Sequence, residues 1–224
     1  MAKARISLAF TALVALAGCE TKPRGDRPRP VVSVDVPSKA EAWMAIASAA
    51  DVQRLNNITG AWAAGLADAR KANFVTAVRE EGMLLKTDAA LPRPAPTPGS
   101  YNCRLVRLGS TGKGAPAFER FKPFFCYVQV EGDLLTIVKQ TGSTRPAGRL
   151  WEDNDESRLI FLGSLGLGDE EQPLAYGENP RRDMAGIFER IAPFRWRLVI
   201  PWPQDGAKLH VFELTPVAEQ PRSE

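Results

Sequence analysis

The chain has 224 residues, 44% of them hydrophobic, and 29 Lys and Arg against 26 Asp and Glu give a formal net charge of +3. That balance is no footprint for nucleic acid, which needs a basic stripe or a much higher pI. The length is enough to bury one good core, so a single globular unit is expected.

In chain order, Lys3 and Arg5 form a short basic region, and Leu8 to Leu16 is a mostly apolar run. That run is about half the ~20 residues a bilayer-spanning helix needs, so it reads as a cleaved signal peptide over residues 1–18. The segment that follows, Leu16-Ala17-Gly18-Cys19, resembles the bacterial lipobox. The resemblance implies a diacylglyceryl thioether on Cys19, cleavage before it and acylation of the new amine. Several acyl chains on one residue give a stable anchor, each buried methylene adding about 0.8 kcal/mol. Glu20, not Asp, follows the cysteine, which by the same resemblance implies retention in the outer membrane, facing the periplasm.

Residues 19–37 hold four prolines and four basic residues between Thr21 and Pro37. They read as the lipidated cysteine and an extended, solvated tether, with Val31 to Val36 a candidate short strand. Residues 38–90 read as a helical segment. Ser38 with Glu41 has capping-box spacing, and Ser48 with Asp51 marks a second start. From Ala40 to Leu85 there is no proline, and Trp43, Ile46, Leu55, Ile58, Trp62 and Leu66 make an apolar stripe. Two or three helices are expected, with the tryptophans in the core.

Leu91 to Gly99 carries proline at every second position and is neither helix nor inner strand. It opens a β region, 91–217, which forms one globular unit with 38–90; residues 218–224 are a C-terminal tail. Candidate strands are Tyr101 to Leu108, Pro123 to Val130, Leu134 to Gln140, Gly148 to Trp151, Arg158 to Leu162, Gly186 to Ile191, Phe194 to Ile200 and Leu209 to Leu214. No β-α-β alternation occurs. The fold class is therefore α+β: an N-terminal helical segment, then a mostly antiparallel, strongly twisted sheet or small β-barrel. Cys103 and Cys126 are an even pair in an exported chain and read as a disulfide. Two thiols and a distant histidine make a poor zinc site.

The ordered set YNCRLVRLG, FFCYV, VKQTGSTRPAGRL, FLGS, RRDMAGIFERI, RWRLVIPWP and FELTP resembles a bacterial envelope family known as domain of unknown function 4893. The resemblance covers roughly Trp43 to Pro216. It implies an envelope protein with an export signal, and it supplies no activity and no catalytic residues.

Chemistry-bearing motifs are sparse. No G-x-S-x-G elbow, P-loop, Rossmann fingerprint or H-E-x-x-H occurs, and no metal or cofactor is expected. The one histidine, His210, alternates with Phe212 and Leu214 and reads as structural. Glu152 to Glu156 begins like a calcium loop, but Arg158 and Ser164 stand where glycine and an acid are needed. It reads as a hydrated hairpin turn. Gly142 to Gly148, with Arg145, has the make-up of an anion contact. Arg195 and Arg197 share one strand face and need acids, carbonyls or an anionic ligand; Glu189, Asp183 and Glu213 are the candidate internal partners.

Without a catalytic constellation, an enzyme ranks last. Phe124, Phe125, Tyr127, Trp151, Phe161, Trp196 and Trp202 supply bulk enough to fill a small barrel. The expectation is a membrane-anchored, non-catalytic interaction or structural module with an envelope protein partner. The alternative is a carrier or sensor with a barrel-like pocket for a small molecule.

Overall fold

A computed structural model describes residues 38–218 apart from 111, 113, 143, 169 and 171. The signal peptide, Cys19, the tether with its Val31 to Val36 strand, and all but the first residue of the tail lie outside the described residues. Four helices come first: α1 (Lys39–Met44), α2 (Ala49–Asn56), α3 (Ile58–Lys71) and α4 (Val75–Glu80), then a 3-10 turn, Gly82–Leu85. Ser38 and Glu41 close a capping box on α1, and the Ser48 hydroxyl accepts from the Asp51 amide at the start of α2. These bonds satisfy amides that a short helix otherwise leaves unpaired.

Nine strands follow: β1 (Gly99–Leu108), β2 (Phe118–Arg120), β3 (Phe124–Glu131), β4 (Leu134–Lys139), β5 (Thr144–Glu152), β6 (Arg158–Leu167), β7 (Asp183–Ala192), β8 (Arg195–Pro201) and β9 (Leu209–Pro216). Every pairing is antiparallel, each strand from β3 to β9 pairs with the next, and β9 returns to β1 from Leu108↔Leu209 to Tyr101↔Pro216. The circuit from β1 through β3 to β9 and back to β1 is therefore a closed up-and-down barrel, with β2 paired only to β1. β2 and β3 share one position in it. β2 pairs with the end of β1 (Val106↔Arg120) and β3 with its start (Cys103↔Phe124). Three residues, Phe121 to Pro123, stand opposite two on β1, and Pro123 has no amide to give to the ladder.

Alternation sorts the side chains. Tyr101, Cys103, Val128, Leu150, Phe161, Phe188, Trp196, Leu198, Phe212 and Leu214 point inward and form one buried cluster. The outer face is covered over part of its girth: α1 packs on β5, α2 on β7, and α3 on β1, β8 and β9. This is why β7 and β8 are buried on both faces, whereas Phe125 and Gln129 of β3 face outward uncovered. The tryptophan stripe is largely core: Trp43, Leu55 and Trp62 are buried between helices and barrel, while Ile46 is exposed. Cys103 and Cys126 form a disulfide between β1 and β3, their Cα atoms 5.9 Å apart.

At Gly148 and Gly163, paired across β5 and β6, the backbones and the Phe161 ring come too close for a side chain. A Cβ on Gly163 would lie 2.1 Å from the Ala147 carbonyl oxygen and 2.7 Å from that ring.

The acidic turn between β5 and β6 is more than a hydrated hairpin. Asp153 is buried, accepting from the Trp43 indole N–H (3.1 Å) and from Arg158 Nε (2.7 Å), and Asn154 accepts from the Ala40 amide. The turn thus anchors α1. Glu152, Asp155 and Glu156 are exposed as expected; Asp153 alone departs from the solvated reading, because its partner Trp43 is distant in sequence.

Candidate functional site

The two ends of the barrel are built differently. At one end the connections are tight turns, 132–133 and 193–194 among them, and Tyr101, Val128, Leu150, Leu159, Phe188 and Trp196 fill the interior. Tyr101 stacks edge-on against Trp196 with centroids 5.9 Å apart, and its hydroxyl donates to the Thr97 carbonyl at 2.6 Å. That end is closed. At the other end the connections 109–117, 140–143, 168–182 and 202–208 are longer, and a cavity of about 670 Å³ opens there. The volume is within the range of small-molecule pockets, about 300–1,000 Å³.

Leu105, Phe124, Pro146, Leu165, Met184, Ile200 and Phe212, all on strands, form its inner wall. The charged side chains sit above them: Arg54, Arg107, Lys122, Lys139, Arg181 and Arg182 against Asp183 and Asp205, with His210 beside Asp205. The mouth is therefore electropositive over an apolar base.

Most of these charges already have partners. Arg54 pairs with Asp51, Arg107 with Glu119 and Asp205, and Arg182 with Glu170 at 2.6 Å. Asp205 also meets His210 Nε2 at 2.9 Å and accepts from the Ala207 amide at 3.1 Å. Burial pushes the Asp205 carboxyl up, but His210, that amide and Arg107 together hold it below its ordinary value. Asp183 moves the other way: burial, with the nearby Asp51 charge, outweighs the Gly177 amide and Arg54 and raises its pKa.

Three cations at the mouth have no carboxylate partner among the described residues: Lys122 and Arg181 are exposed, and Lys139 is half-buried. Lys139 sits at the end of β4 with Nζ 4.4 Å from the centre of the Phe124 ring. Burial, then repulsion from Arg145, lowers its pKa.

The arginines singled out from sequence lie elsewhere and apart. Arg145 donates to the carbonyls of Gly142, Gly168 and Glu170, closing the 168–170 loop onto β5. Arg195 and Arg197 are on the outer face of β8. Arg195 pairs with Glu213. Arg197 is fully buried, bonded to Glu189 at 2.6 Å and to the Leu84 and Lys86 carbonyls at 3.0 and 2.6 Å, with its guanidinium over Trp62. None of the three lines the cavity. His210 does, from the inward face of β9.

Sequence reading passed over Lys139 and Arg107, although a signal was present. Each shares the inward parity of its strand, Lys139 with Leu135 and Ile137, Arg107 with Tyr101, Cys103 and Leu105. A charge on the inward face at a strand end marks a barrel mouth. The aromatic count misled for the complementary reason. Phe125 and Tyr127 alternate with inward neighbours, Trp151 packs under α1 and α2, and Trp202 lies against the helical layer. Only Phe124, Phe161 and Trp196 of the seven lie inside, so the barrel is not filled.

Among the described residues no group of three or more His, Cys, Asp or Glu side chains is placed to hold a metal ion, and no helix is long and apolar enough to cross a membrane. Comparison with curated proteins and with solved structures returns no match. The family whose sequence model matches residues 43–214 is described as domain of unknown function (DUF4893), and the chain, matched across the helices and the whole barrel to β9, belongs to it.

Proposed function

We propose that this protein is a carrier or sensor for one amphipathic small molecule, held in the open end of the barrel and tethered to the bacterial envelope through acyl chains on Cys19. The observation that carries the reading is the 670 Å³ cavity, apolar at its base and polar at its rim, in a barrel closed at its other end. Ligand pockets share that distribution: apolar walls supply affinity and a few polar groups set orientation. Eight-stranded barrels have room for either packed side chains or one small ligand, and here Tyr101, Phe188 and Trp196 pack the closed end while the other end stays open. The cavity favours the carrier over the interaction module that the sequence put first. Among the described residues no hydroxyl or thiol is bonded to the His210–Asp205 pair at the mouth, and the apolar base of the cavity favours binding over catalysis.

Native mass spectrometry of the protein purified gently from an envelope fraction tests the binding role. A stoichiometric extra mass is expected, and Leu165→Trp, which fills the cavity, should abolish it. A clean apo mass together with no uptake of a neutral apolar fluorophore would sink the carrier reading. The anchor is tested separately: palmitate labelling should disappear in Cys19→Ser, and unchanged labelling would refute it.

A further inference from the structure

We propose that the occupant of the cavity is an acidic amphiphile, its anionic head group paired with Lys139 and its apolar body lying on Phe124, Phe212, Ile200 and Met184. This rests on the carrier reading above and adds the chemical class of the ligand.

The inference follows from which charges at the mouth are already satisfied. Arg54, Arg107 and Arg182 each have a carboxylate partner, and Lys122 and Arg181, which have none among the described residues, are exposed to solvent. Asp205 is held by His210, Arg107 and the Ala207 amide, and Asp183 accepts from the Gly177 amide at 3.0 Å. A cationic ligand would have to compete for acids already engaged. Lys139 is the reverse case. It is half-buried, enters from the inward face of β4 opposite Cys126, and borders both the large cavity and the small apolar recess below it. Its ammonium lies over the Phe124 ring face, with Gly142 nearby and the Arg145 guanidinium repelling it.

An ammonium in that position is poorly solvated and uncompensated, which is unfavourable unless something restores a counter-charge. A ring face supplies only part of it. A carboxylate or phosphate oxygen would complete the pair in a charge-assisted hydrogen bond. Thr141 and Thr144, on the same wall of the cavity, add hydroxyl donors for the remaining oxygens. Below Lys139 the wall is apolar, so the acid must carry a hydrocarbon body, and a small inorganic anion would leave the base of the cavity uncovered.

The test is calorimetric titration of the full chain with dodecanoate, dodecyl phosphate, dodecanol and dodecylammonium, each below its micelle concentration. One or both acids should bind at least about tenfold more tightly than dodecanol and dodecylammonium; the tighter acid identifies the head group. Lys139→Gln should remove that preference without lowering Tm, since it removes an uncompensated ammonium, whereas Lys139→Arg should keep it. Dodecanol binding as well as the acids, or a preference that survives Lys139→Gln, overturns the acidic class while leaving the carrier reading intact. Tightest binding of dodecylammonium does the same. If none of the four binds, dodecanol included, the carrier reading fails with it.

Discussion

Arg197→Ala tests whether this arginine secures the helical layer to the barrel. The side chain is fully buried on the outer face of β8. It bonds to Glu189 at 2.6 Å and to the Leu84 and Lys86 carbonyls of the 3-10 turn at 3.0 and 2.6 Å, and it stacks over Trp62 of α3 at 5.1 Å. Truncation leaves a carboxylate and two carbonyls without their donor. Breaking one partner of a buried pair costs about 3–5 kcal/mol, which in a domain of this size lowers Tm by about 6–20 °C. Thermal and urea unfolding of Arg197→Ala, Glu189→Ala and the double variant measure it. The double variant should be less destabilised than the two single effects summed, by about 1–3 kcal/mol, because the two residues share one interaction. A loss below about 1 kcal/mol in Arg197→Ala, or strict additivity, would refute the argument. Sulfate or phosphate binding should not depend on Arg197.

Three further outcomes follow from the packing of the barrel and its helices. Burial raises the Glu81 carboxyl, but hydrogen bonds and charges from Arg104 and Arg120 outweigh it and leave the pKa below its ordinary 4.5. The stabilisation is therefore complete above about pH 4.5 and is lost as pH falls through the lower folded value; the stability gap between wild type and Glu81→Gln should shrink on acidification, and a constant gap from pH 7 to pH 3 would contradict it. Gly163→Ala should destabilise by about 1–3 kcal/mol, since the obstacles to its Cβ include the Ala147 carbonyl at 2.1 Å and Gly148 Cα at 2.6 Å; wild-type stability in urea would show that β5 and β6 do not approach as described. Replacing Cys103 and Cys126 together by serine should cost about 3 kcal/mol for a bridge spanning 23 residues, read as a lowered urea midpoint, and free thiols in protein taken from the envelope would remove the premise.

Strand alternation was legible wherever Val, Ile, Leu and aromatics dominate, so β1, β3, β4, β8 and β9 fall within two residues of their expected bounds. The shortfalls on β5 and β6 are instructive. Expected as Gly148 to Trp151 and Arg158 to Leu162, they run Thr144–Glu152 and Arg158–Leu167. The missing halves lie opposite one another, Thr144↔Leu167 through Ala147↔Ser164. They are rich in Gly, Pro and Ser, which read as turn residues, and they extend only because each supplies the other's ladder. β2 was missed because three residues carry too short a pattern. The helical segment, expected as two or three helices, contains the 14-residue α3, three helices of six to eight residues and a 3-10 turn. Helices of six to eight residues depend on docking against the barrel more than on intrinsic propensity.

The arginine pair shows how far local reasoning reaches. Alternation placed Arg195 and Arg197 on one face, and Glu189 and Glu213 were among the candidate partners. The sequence could not say that this face looks outward onto a helical layer and not into a cavity. That distinction decides between a structural bond and a ligand contact.

The amino-acid sequence by itself determined the succession of helices then antiparallel strands, the cysteine pair that forms the disulfide, and the family, because these depend on local pattern and on residue order. Tertiary structure alone decided that the sheet closes, that Tyr101 and Trp196 seal one end, and that Lys139, Arg107 and His210 meet at the other. Inside and outside exist only once β9 pairs with β1, and a cavity is defined by atoms brought together from strands far apart in the chain.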